Sequence, residues 1–375
     1  MRELRAVPVD GSPDSVEDLT EALRAALDGS GPAVVPGTDV PPAAEVPAEV
    51  AVVISTSGST GRPKHVMLTA AALAASARAT EARLGGPARW VLALPAAHVA
   101  GVQVILRALL AGAQPVVQDV REGFRPAGFA RATGRLPHGA RRYVSLVPTQ
   151  LGRILDDHSA GMYALAGYDA VLIGGAALAP ALRTRAEDAG IRVVTTYGMS
   201  ETCGGCVYDG VPLDGVGVHL DGGRLALSGP MLASGYLDDP ALTAAAFAGG
   251  RFVTGDLGRW DGERLTVLGR ADDVIVTGGE KVAPAAVERV LAGQPGVAAV
   301  CVVGVPDPEW GQAVVAAVVP SGAGPDPDSL RTAVREAEGR AAVPRRVALV
   351  PELPLRGVGK PDREAVAALF TTPVE

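Results

Sequence analysis

Ten residues that follow a short apolar run carry more chemical information than any other stretch of the chain. Ser55-Thr-Ser-Gly-Ser-Thr-Gly-Arg-Pro-Lys64 contains five hydroxyl side chains and two glycines, directly after the apolar residues 50–54. Such a run reads as a strand entering a loop. Glycine lets the loop turn through positive φ and leaves amide N–H groups uncovered. Clustered N–H and O–H donors, with the Lys64 cation at the far end, suit the oxygens of a polyphosphate. The order of residues is not that of the common nucleotide P-loop, in which Gly-Lys is followed at once by Ser or Thr. Here Arg62 and Pro63 separate Gly61 from Lys64, His65 follows the lysine, and Pro63 has no N–H to donate. A Ser/Gly-rich surface loop has the same composition, so the reading depends on what accompanies the loop.

Six further segments follow in order. They are Leu94-Pro-Ala-Ala-His98-Val-Ala-Gly101, Gly174-Gly-Ala-Ala177, Thr196-Tyr-Gly-Met-Ser-Glu-Thr202, Thr254-Gly-Asp256, Gly269-Arg-Ala-Asp-Asp273 and Gly357-Val-Gly-Lys360. Five of the six carry a His, Glu, Asp, Arg or Lys, and Gly174-Gly-Ala-Ala177 carries none.

The elements that must position these residues follow from periodicity. Residues 14–28 read as an opening helix, with Leu19, Leu23 and Leu27 on one face. Residues 30–49 carry five prolines and read as an extended connection. From residue 50 to about 195, predicted strands (50–54, 90–94, 115–118, 143–147, 170–173, 191–195) alternate with helices near 69–83, 101–111, 149–157 and 178–189. Pro180 near the start and Gly190 just past the end bracket the last of these helices. This alternation implies an α/β fold with mixed or mostly parallel sheets flanked by helices. Short strands at 224–227, 251–254 and 264–268 lie between Gly and Asp turns. After Gly269 a smaller α+β unit follows, with helices near 284–292, 328–339 and 361–370 and strands at 298–303 and 313–319. We therefore expect two domains, 1–269 and 270–375, with the change of pattern at Arg270–Asp273.

The totals exclude several classes. At 375 residues and 48% hydrophobic content the chain can bury large cores, and 47 glycines with 30 prolines imply many tight connections. The net charge of −7 gives no general reason to bind nucleic acid. One basic stretch, Arg121, Arg125, Arg131, Arg135, Arg141 and Arg142, reads either as a solvated face or as a seat for a phosphate-bearing co-substrate. The three cysteines are too few and odd in number for a disulfide framework. Cys203-Gly-Gly-Cys206 is formally C-x-x-C, but a structural zinc wants four ligands and no second pair accompanies it. We read it as a loop of small side chains. No run of about 18 apolar residues is present, and the N-terminus lacks a signal-peptide core, so no membrane span and a cytoplasmic location are expected.

Taken in order, the seven motifs resemble the adenylate-forming superfamily of acyl-CoA synthetases, luciferases and nonribosomal adenylation domains, over roughly residues 50–370. Arg107 nine residues after His98, Ser145-Leu-Val-Pro-Thr-Gln-Leu151, Val171-Leu-Ile-Gly-Gly-Ala-Ala177 and the compact run Tyr197–Cys206 are similar to the o-succinylbenzoate–CoA ligase branch, which serves menaquinone biosynthesis. The resemblance implies an AMP-forming acid–thiol ligase that uses ATP, Mg²⁺ and CoA. Such an enzyme has a large N-terminal domain and a small mobile C-terminal domain that carries a catalytic lysine.

The resemblance also implies residue roles. Thr56, Ser57, Gly58, Ser59, Thr60, Gly61 and Lys64 would hold the β- and γ-phosphates. Glu201 would bind Mg²⁺ and Thr202 would touch the α-phosphate. Asp256 would accept the ribose hydroxyls with Arg270 nearby, while Gly175, Ala176 and Tyr197 would line the adenine slot. Lys360 would bridge the attacking carboxylate and the α-phosphate, with Asp272 as the hinge. His98 would gate the acyl pocket, Arg107 would pair with the second carboxylate of o-succinylbenzoate, and Ser145, Thr149 and Gly174 would line the same pocket.

Two departures stand out. Only 54 residues precede the loop, fewer than is usual in this superfamily, and contacts in a homodimer are one way to replace the missing part. His65 stands where glycine is common. A ligase for another aryl or short acid, with a carrier-protein thiol in place of CoA, is the alternative within this chemistry. A non-catalytic nucleotide-binding module is the alternative outside it.

Overall fold

In the computed structural model, residues 1–38, 41, 44–57, 63–157, 160–356 and 360–371 are described. The chain lays down two large sheets that share one layer of helices. The first has six strands. Arg2–Val7, Ala33–Pro36 and Val50–Ser57 run parallel at its centre, while Pro63–Thr69, Gly235–Tyr236 and Glu45–Val46 add antiparallel edges. The second has seven. Val116–Val117, Arg89–Leu92, Arg142–Leu146, Ala170–Ile173 and Val193–Met199 are parallel, and Gly204–Tyr208 and Val211–Pro212 close one edge antiparallel.

Helices Pro13–Asp28, Ala70–Leu84 and Val99–Leu110 lie between the two sheets. One apolar core joins all three layers, with Leu19 and Leu23, Leu73, Val102 and Ile105 meeting Val52 and Ile54 on one side and Trp90 and Leu92 on the other. The first helix starts where Ser12 Oγ accepts the Ser15 N–H, with Pro13 at its first position, and stops at Gly29 with φ of 83°. The outer face of the seven-stranded sheet is covered by Pro126–Thr133, Pro148–Asp156, Ala160–Ala166 and Pro180–Asp188 around Phe129, Leu151 and Tyr168.

Two smaller sheets and a two-stranded ribbon, Leu355–Arg356 with Lys360–Pro361, complete the strands of the described residues. Gly217–Asp221, Arg224–Ser228, Phe247–Ala248, Arg251–Trp260 and Leu265–Arg270 form an antiparallel unit over Cys206, Leu225 and Leu227. Ile275–Thr277, Glu280–Val282, Val297–Asp307, Gly311–Pro320 and Arg346–Leu349 form the last sheet. Helices Pro284–Ala292 and Pro327–Glu338 share an apolar core with one of its faces, and Arg363–Thr371 packs against the other. Among the described residues no helix is long and apolar enough to cross a membrane.

The α/β class and most predicted elements are present, and the differences have physical causes. The Pro-rich connection at 30–49 contains the buried strand Ala33–Pro36, too short to show a period yet paired on both sides. Helices Pro126–Thr133 and Ala160–Ala166 are too short and too Gly/Ala-rich to be predicted from periodicity. The reading of Cys203–Cys206 as a small-residue loop is corrected. Cys203 caps a turn with φ of 50°, and Gly204–Tyr208 is a strand paired on one side with Val193–Met199 and on the other with Val211–Pro212.

All three cysteines are free and buried. Burial pushes the Cys206 and Cys301 thiols up to about 12, and raises that of Cys203 as well. A thiolate is the reactive form. An aromatic disulfide reagent is therefore expected to label none of the three at pH 8 in the folded chain and all three in denaturant, and fast labelling of the native protein would contradict the burial.

Candidate functional site

The hairpin of Val50–Ser57 and Pro63–Thr69 holds the Ser/Gly loop at its tip, where Ser57 faces Pro63 and Thr56 faces Lys64. Gly58, Ser59, Thr60 and Gly61 lie outside the described residues. Below the tip, Thr56 Oγ1 donates to the Lys64 carbonyl at 3.3 Å. His65 is taken up by a cross-strand partner, with its Nδ1 2.9 Å from Ser55 Oγ. The glycine usual at that place is thus replaced by a side chain that fastens the hairpin. The Lys64 ammonium stands 5.6 Å from the centre of the Tyr236 ring. On the same side chain, the Tyr236 hydroxyl donates to Glu201 Oε1 at 2.8 Å. Lys64 and Glu201, far apart in sequence, are thereby brought to one aromatic residue.

Glu201 sits in the tight turn Ser200–Thr202 that ends the strand Val193–Met199. Thr202 is fully buried, and its hydroxyl lies 2.9 Å from the Met199 amide and 2.7 Å from the Gly204 carbonyl. It builds the turn, which departs from the phosphate contact expected of it. Ser200 in the same turn keeps 9% of its surface, and no side-chain hydrogen bond ties it among the described residues. Gly198 is required here, because a Cβ on it would stand 2.0 Å from the Gly204 carbonyl oxygen of the paired strand.

One step back along the strand, the Tyr197 hydroxyl donates to Asp256 Oδ2 at 2.5 Å. Burial first, and then the Asp256 charge, raise the Tyr197 pKa, so it remains a donor at any ordinary pH. The Arg270 guanidinium lies between two carboxylates, 3.8 Å from Asp256 Oδ1 and 3.0 Å from Asp272 Oδ2. Gly175, with φ of 81°, and Ala176 are exposed at the end of the Ala170–Ile173 strand, close to the start of this constellation.

A second constellation lies between helix Val99–Leu110 and the sheet face that carries Trp90 and Tyr143. Strand alternation puts Ser145, Gly174 and Thr196 on that face. A Cβ on Gly174 would stand 2.4 Å from Thr196 Oγ1. His98 is exposed at the N-cap of the helix, and Arg107 lies about 13 Å further along it at 1.5 Å per residue. Arg107 is not a surface residue, since only 6% of it is exposed. Its guanidinium stacks 5.3 Å from the Trp90 ring, and Nη2 reaches the Tyr208 hydroxyl at 3.4 Å. Its Nε, and Oε1 of Gln103 one turn earlier, are buried with no hydrogen-bond partner. Orphaned polar atoms of this kind are costly to bury.

Thr149 is not brought to this face. It is exposed in the first turn of Pro148–Asp156, a helix on the opposite side of the sheet. Lys360 opens a short strand paired with Leu355–Arg356, and its side chain lies outside the described set. The basic stretch at 121–142 behaves as a solvated face, with Arg121 paired to Asp119 and Arg125 to Glu122 at exposed positions. Sequence reasoning missed Tyr236, Gln103, Trp90 and Tyr208. Only Gln103 carried a signal, as a polar residue one turn before Arg107 on an otherwise apolar helix.

Comparison with known proteins follows the same outline. A family model described as AMP-binding enzyme matches residues 4–237, and one described as AMP-binding enzyme C-terminal domain matches residues 286–360. A protein of Mycobacterium tuberculosis described as "Probable 2-succinylbenzoate--CoA ligase" is 46% identical over 369 residues, covering 94% of this chain and 95% of that protein. The 2-succinylbenzoate–CoA ligase of Geobacillus kaustophilus is 32% identical over 348 residues, covering 86% of this chain and 70% of that protein. Among solved structures, the amide bond synthetase McbA from Marinactinospora thermotolerans has a TM-score of 0.78 at 31% identity, over 95% of this chain and 78% of that one. The o-succinylbenzoate CoA synthetase of Bacillus subtilis, in complex with its acyl-adenylate intermediate, has a TM-score of 0.73 at 25% identity, over 92% of this chain and 80% of that one.

The turn geometry makes a direct prediction. Gly198→Ala is expected to lower stability in urea by on the order of 1–3 kcal/mol through overpacking against Gly204. Gly152→Ala, in a helix where a Cβ meets nothing within 4 Å, is expected to be neutral or slightly stabilising in the same measurement.

Proposed function

The chain belongs to the AMP-binding enzyme family, and from that premise we propose that it joins o-succinylbenzoate to CoA, converting ATP to AMP and diphosphate. The observation that carries the choice of acid is the buried Arg107 guanidinium, held by a ring and a hydroxyl and left with an unpartnered Nε. A monocarboxylic acid has no use for a second cation deep beside the acyl face. An acid with two carboxylates does: one reacts, and the other meets Arg107 with charge-assisted hydrogen bonds. Gln103 Oε1 is an acceptor in the same layer, placed for a water or a donor on the ligand. The names of the M. tuberculosis and G. kaustophilus relatives support the same acid, and with it a role in menaquinone biosynthesis.

The reaction has two balanced steps. An oxygen of the substrate carboxylate attacks the α-phosphorus of ATP, and the bond to the β-phosphate oxygen breaks to release diphosphate. The CoA sulfur then attacks the acyl carbonyl of the adenylate, AMP leaves with the former carboxylate oxygen, and the thiol proton goes to solvent. Anions meet in the first step, so the site must supply cations and fixed donors.

We assign these as follows. Lys64 and the loop Thr56, Ser57, Gly58, Ser59, Thr60 and Gly61 hold the β- and γ-phosphates. Asp256 accepts the ribose hydroxyls in place of the Tyr197 hydroxyl that it now binds, with Arg270 beside it, and Tyr197, Gly175 and Ala176 line the adenine slot. Ser200, rather than Thr202, has a hydroxyl to offer the α-phosphate. His98 stands at the mouth of the acyl pocket, Ser145 and Gly174 line its wall, and Lys360 enters from the smaller domain to meet the attacking carboxylate. Glu201 fits Mg²⁺. Among the described residues no group of three or more His, Cys, Asp or Glu could hold a metal by itself, and Mg²⁺ is commonly held by one carboxylate together with substrate phosphates. Bound there, it would supply positive charge to the leaving diphosphate.

We place the domain boundary between residues 269 and 270, with Asp272 as the hinge. Strand pairing puts the change of unit a few residues later, within 271–274: Leu265–Arg270 pairs back into the antiparallel unit, with Arg270 opposite Asp256, and Ile275–Thr277 pairs into the last sheet. A turn of the smaller domain about that link would withdraw Lys360 after adenylation and admit the thiol.

The test is thioester formation followed by mass spectrometry, with MgATP, CoA and either o-succinylbenzoate, benzoate, a fatty acid or an amino acid. An adduct with o-succinylbenzoate alone is expected. Arg107→Ala is expected to raise KM for this acid by roughly 10²-fold, the scale for losing one partner of a buried charge pair, while KM for ATP stays unchanged. Equal turnover of benzoate would discard the acid assigned here and keep the chemistry.

A further inference from the structure

Tyr236 takes no part in the assignments above, yet it touches two of the groups they depend on. It is a buried residue, 5% exposed, on the short strand Gly235–Tyr236. That strand pairs with Pro63–Thr69, where Tyr236 lies opposite Val66, two residues beyond Lys64. The neighbouring backbone fastens the same two elements. The Leu237 amide donates to the His65 carbonyl at 2.9 Å, and the Ala233 amide donates to the Glu201 carbonyl at 2.9 Å. The Tyr236 amide itself donates to Thr243 Oγ1 at 2.9 Å, and its ring packs edge-on against Phe247 at 5.8 Å. The ring is thus fixed from several sides. Its two chemical faces are committed, the hydroxyl to Glu201 Oε1 and the π face to the Lys64 ammonium.

From this we infer that Tyr236 is a positioning residue for nucleotide binding: its hydroxyl sets the orientation of the Glu201 carboxylate, and its ring holds Lys64 at the loop tip. The inference rests on the roles proposed for Glu201 and Lys64. The physical reason is a conflict between those two groups. A carboxylate and an ammonium that must both face a polyphosphate from one wall are drawn into an ion pair with each other, and that pair would remove both from the ligand. Placing an aromatic residue between them gives each a neutral partner. The hydroxyl occupies one oxygen of Glu201 and leaves the other for a cation. The quadrupole of the ring steadies the ammonium without neutralising it.

Two substitutions separate the functions of the hydroxyl and the ring. Tyr236→Phe keeps the ring and removes the donor. Tyr236→Leu removes both. ATP binding is measured by calorimetry with and without Mg²⁺, a readout that needs neither the acid nor turnover. For Tyr236→Phe we expect metal-free ATP binding equal to wild type and an apparent Mg²⁺ requirement raised roughly tenfold, the size expected for one lost hydrogen bond to a charged group. In a Glu201→Gln background the same substitution is expected to add little, because it acts through that carboxylate. Tyr236→Leu is expected to weaken ATP binding several-fold without metal as well, through Lys64. Thermal unfolding of each variant identifies any loss of fold, and Tyr236→Phe, which deletes one oxygen, keeps the test open if the leucine variant does not fold. An unchanged Mg²⁺ requirement in Tyr236→Phe, or full additivity with Glu201→Gln, overturns the inference. Failure of wild-type chain to form the o-succinylbenzoyl thioester while these binding effects hold would count against the acid and not against Tyr236.

Discussion

Anions must be brought together in this site by cations that the protein does not itself neutralise, and the surrounding structure is arranged around that constraint. Lys64 is held over the Tyr236 ring and Arg107 over the Trp90 ring. Among the described residues neither has a carboxylate partner within salt-bridge distance. Elsewhere the chain uses ordinary ion pairs, such as Arg363 with Asp273 and Glu288 in the smaller domain. The contrast follows from electrostatics. A carboxylate at either cation would compete with the ligand for the same charge, whereas an aromatic face fixes the side chain in place and leaves its charge to act outward. The rings in turn require deep, rigid seats. Trp90 lies in a parallel strand and meets Tyr143 edge-on, and Tyr236 lies in a strand added to the hairpin that carries Lys64.

Close backbone approach is the second requirement, and it explains where glycine is indispensable. Glu201 reaches Tyr236 only because the strand before it packs directly onto Gly204, which leaves no room for a side chain at Gly198. At the start of helix Val99–Leu110, a Cβ on Gly101 would stand 2.4 Å from the Pro95 carbonyl oxygen. The turn that presents His98 is compact for that reason. Both glycines belong to motifs that the amino-acid order alone makes visible. What the motif could not show is that the glycine is required by the neighbouring strand or turn.

The legible part of the sequence was the part written as local pattern. The Ser/Gly loop after an apolar run, Gly-Asp256, Tyr197 and the alternation of apolar runs with helical periods each depend on residues adjacent in the chain. Arg107 could be singled out by its spacing from His98. Its burial could not, because nothing local shows that Trp90 and Tyr208 converge on it from two strands. Tyr236 was invisible for the same reason, and Gln103 showed only as a polar residue on an apolar helix, since their meaning lies in partners at least thirty residues distant or in an atom left without one. Thr202 shows a structural role that the local pattern does not carry. A hydroxyl beside Glu201 suggests a ligand contact, but the tight turn uses that hydroxyl to satisfy its own backbone. The strand Ala33–Pro36 was hidden by its length and by the prolines on either side, although tertiary pairing makes it one of the most buried strands in the sheet.

Arg107, whose buried Nε lacks a hydrogen bond, links stability to the recognition proposed for it. A guanidinium on a residue only 6% exposed, with one donor unsatisfied, costs folding free energy that a leucine in its place would not. The chain tolerates this because the surrounding apolar core is large: Leu92, Ile105, Leu106 and Tyr143 are almost fully buried in the same cluster. In the role proposed for Arg107, a ligand carboxylate there would remove the penalty and make a charge-assisted bond at the same time. It would therefore bind more strongly than the contact alone would allow, and it would stabilise the folded chain by the same linkage. Discrimination follows directly. On the role proposed for Arg107, a neutral or shorter acid would leave the guanidinium Nε as unsatisfied as before, and only an acid that brings a second negative charge to that depth would relieve it.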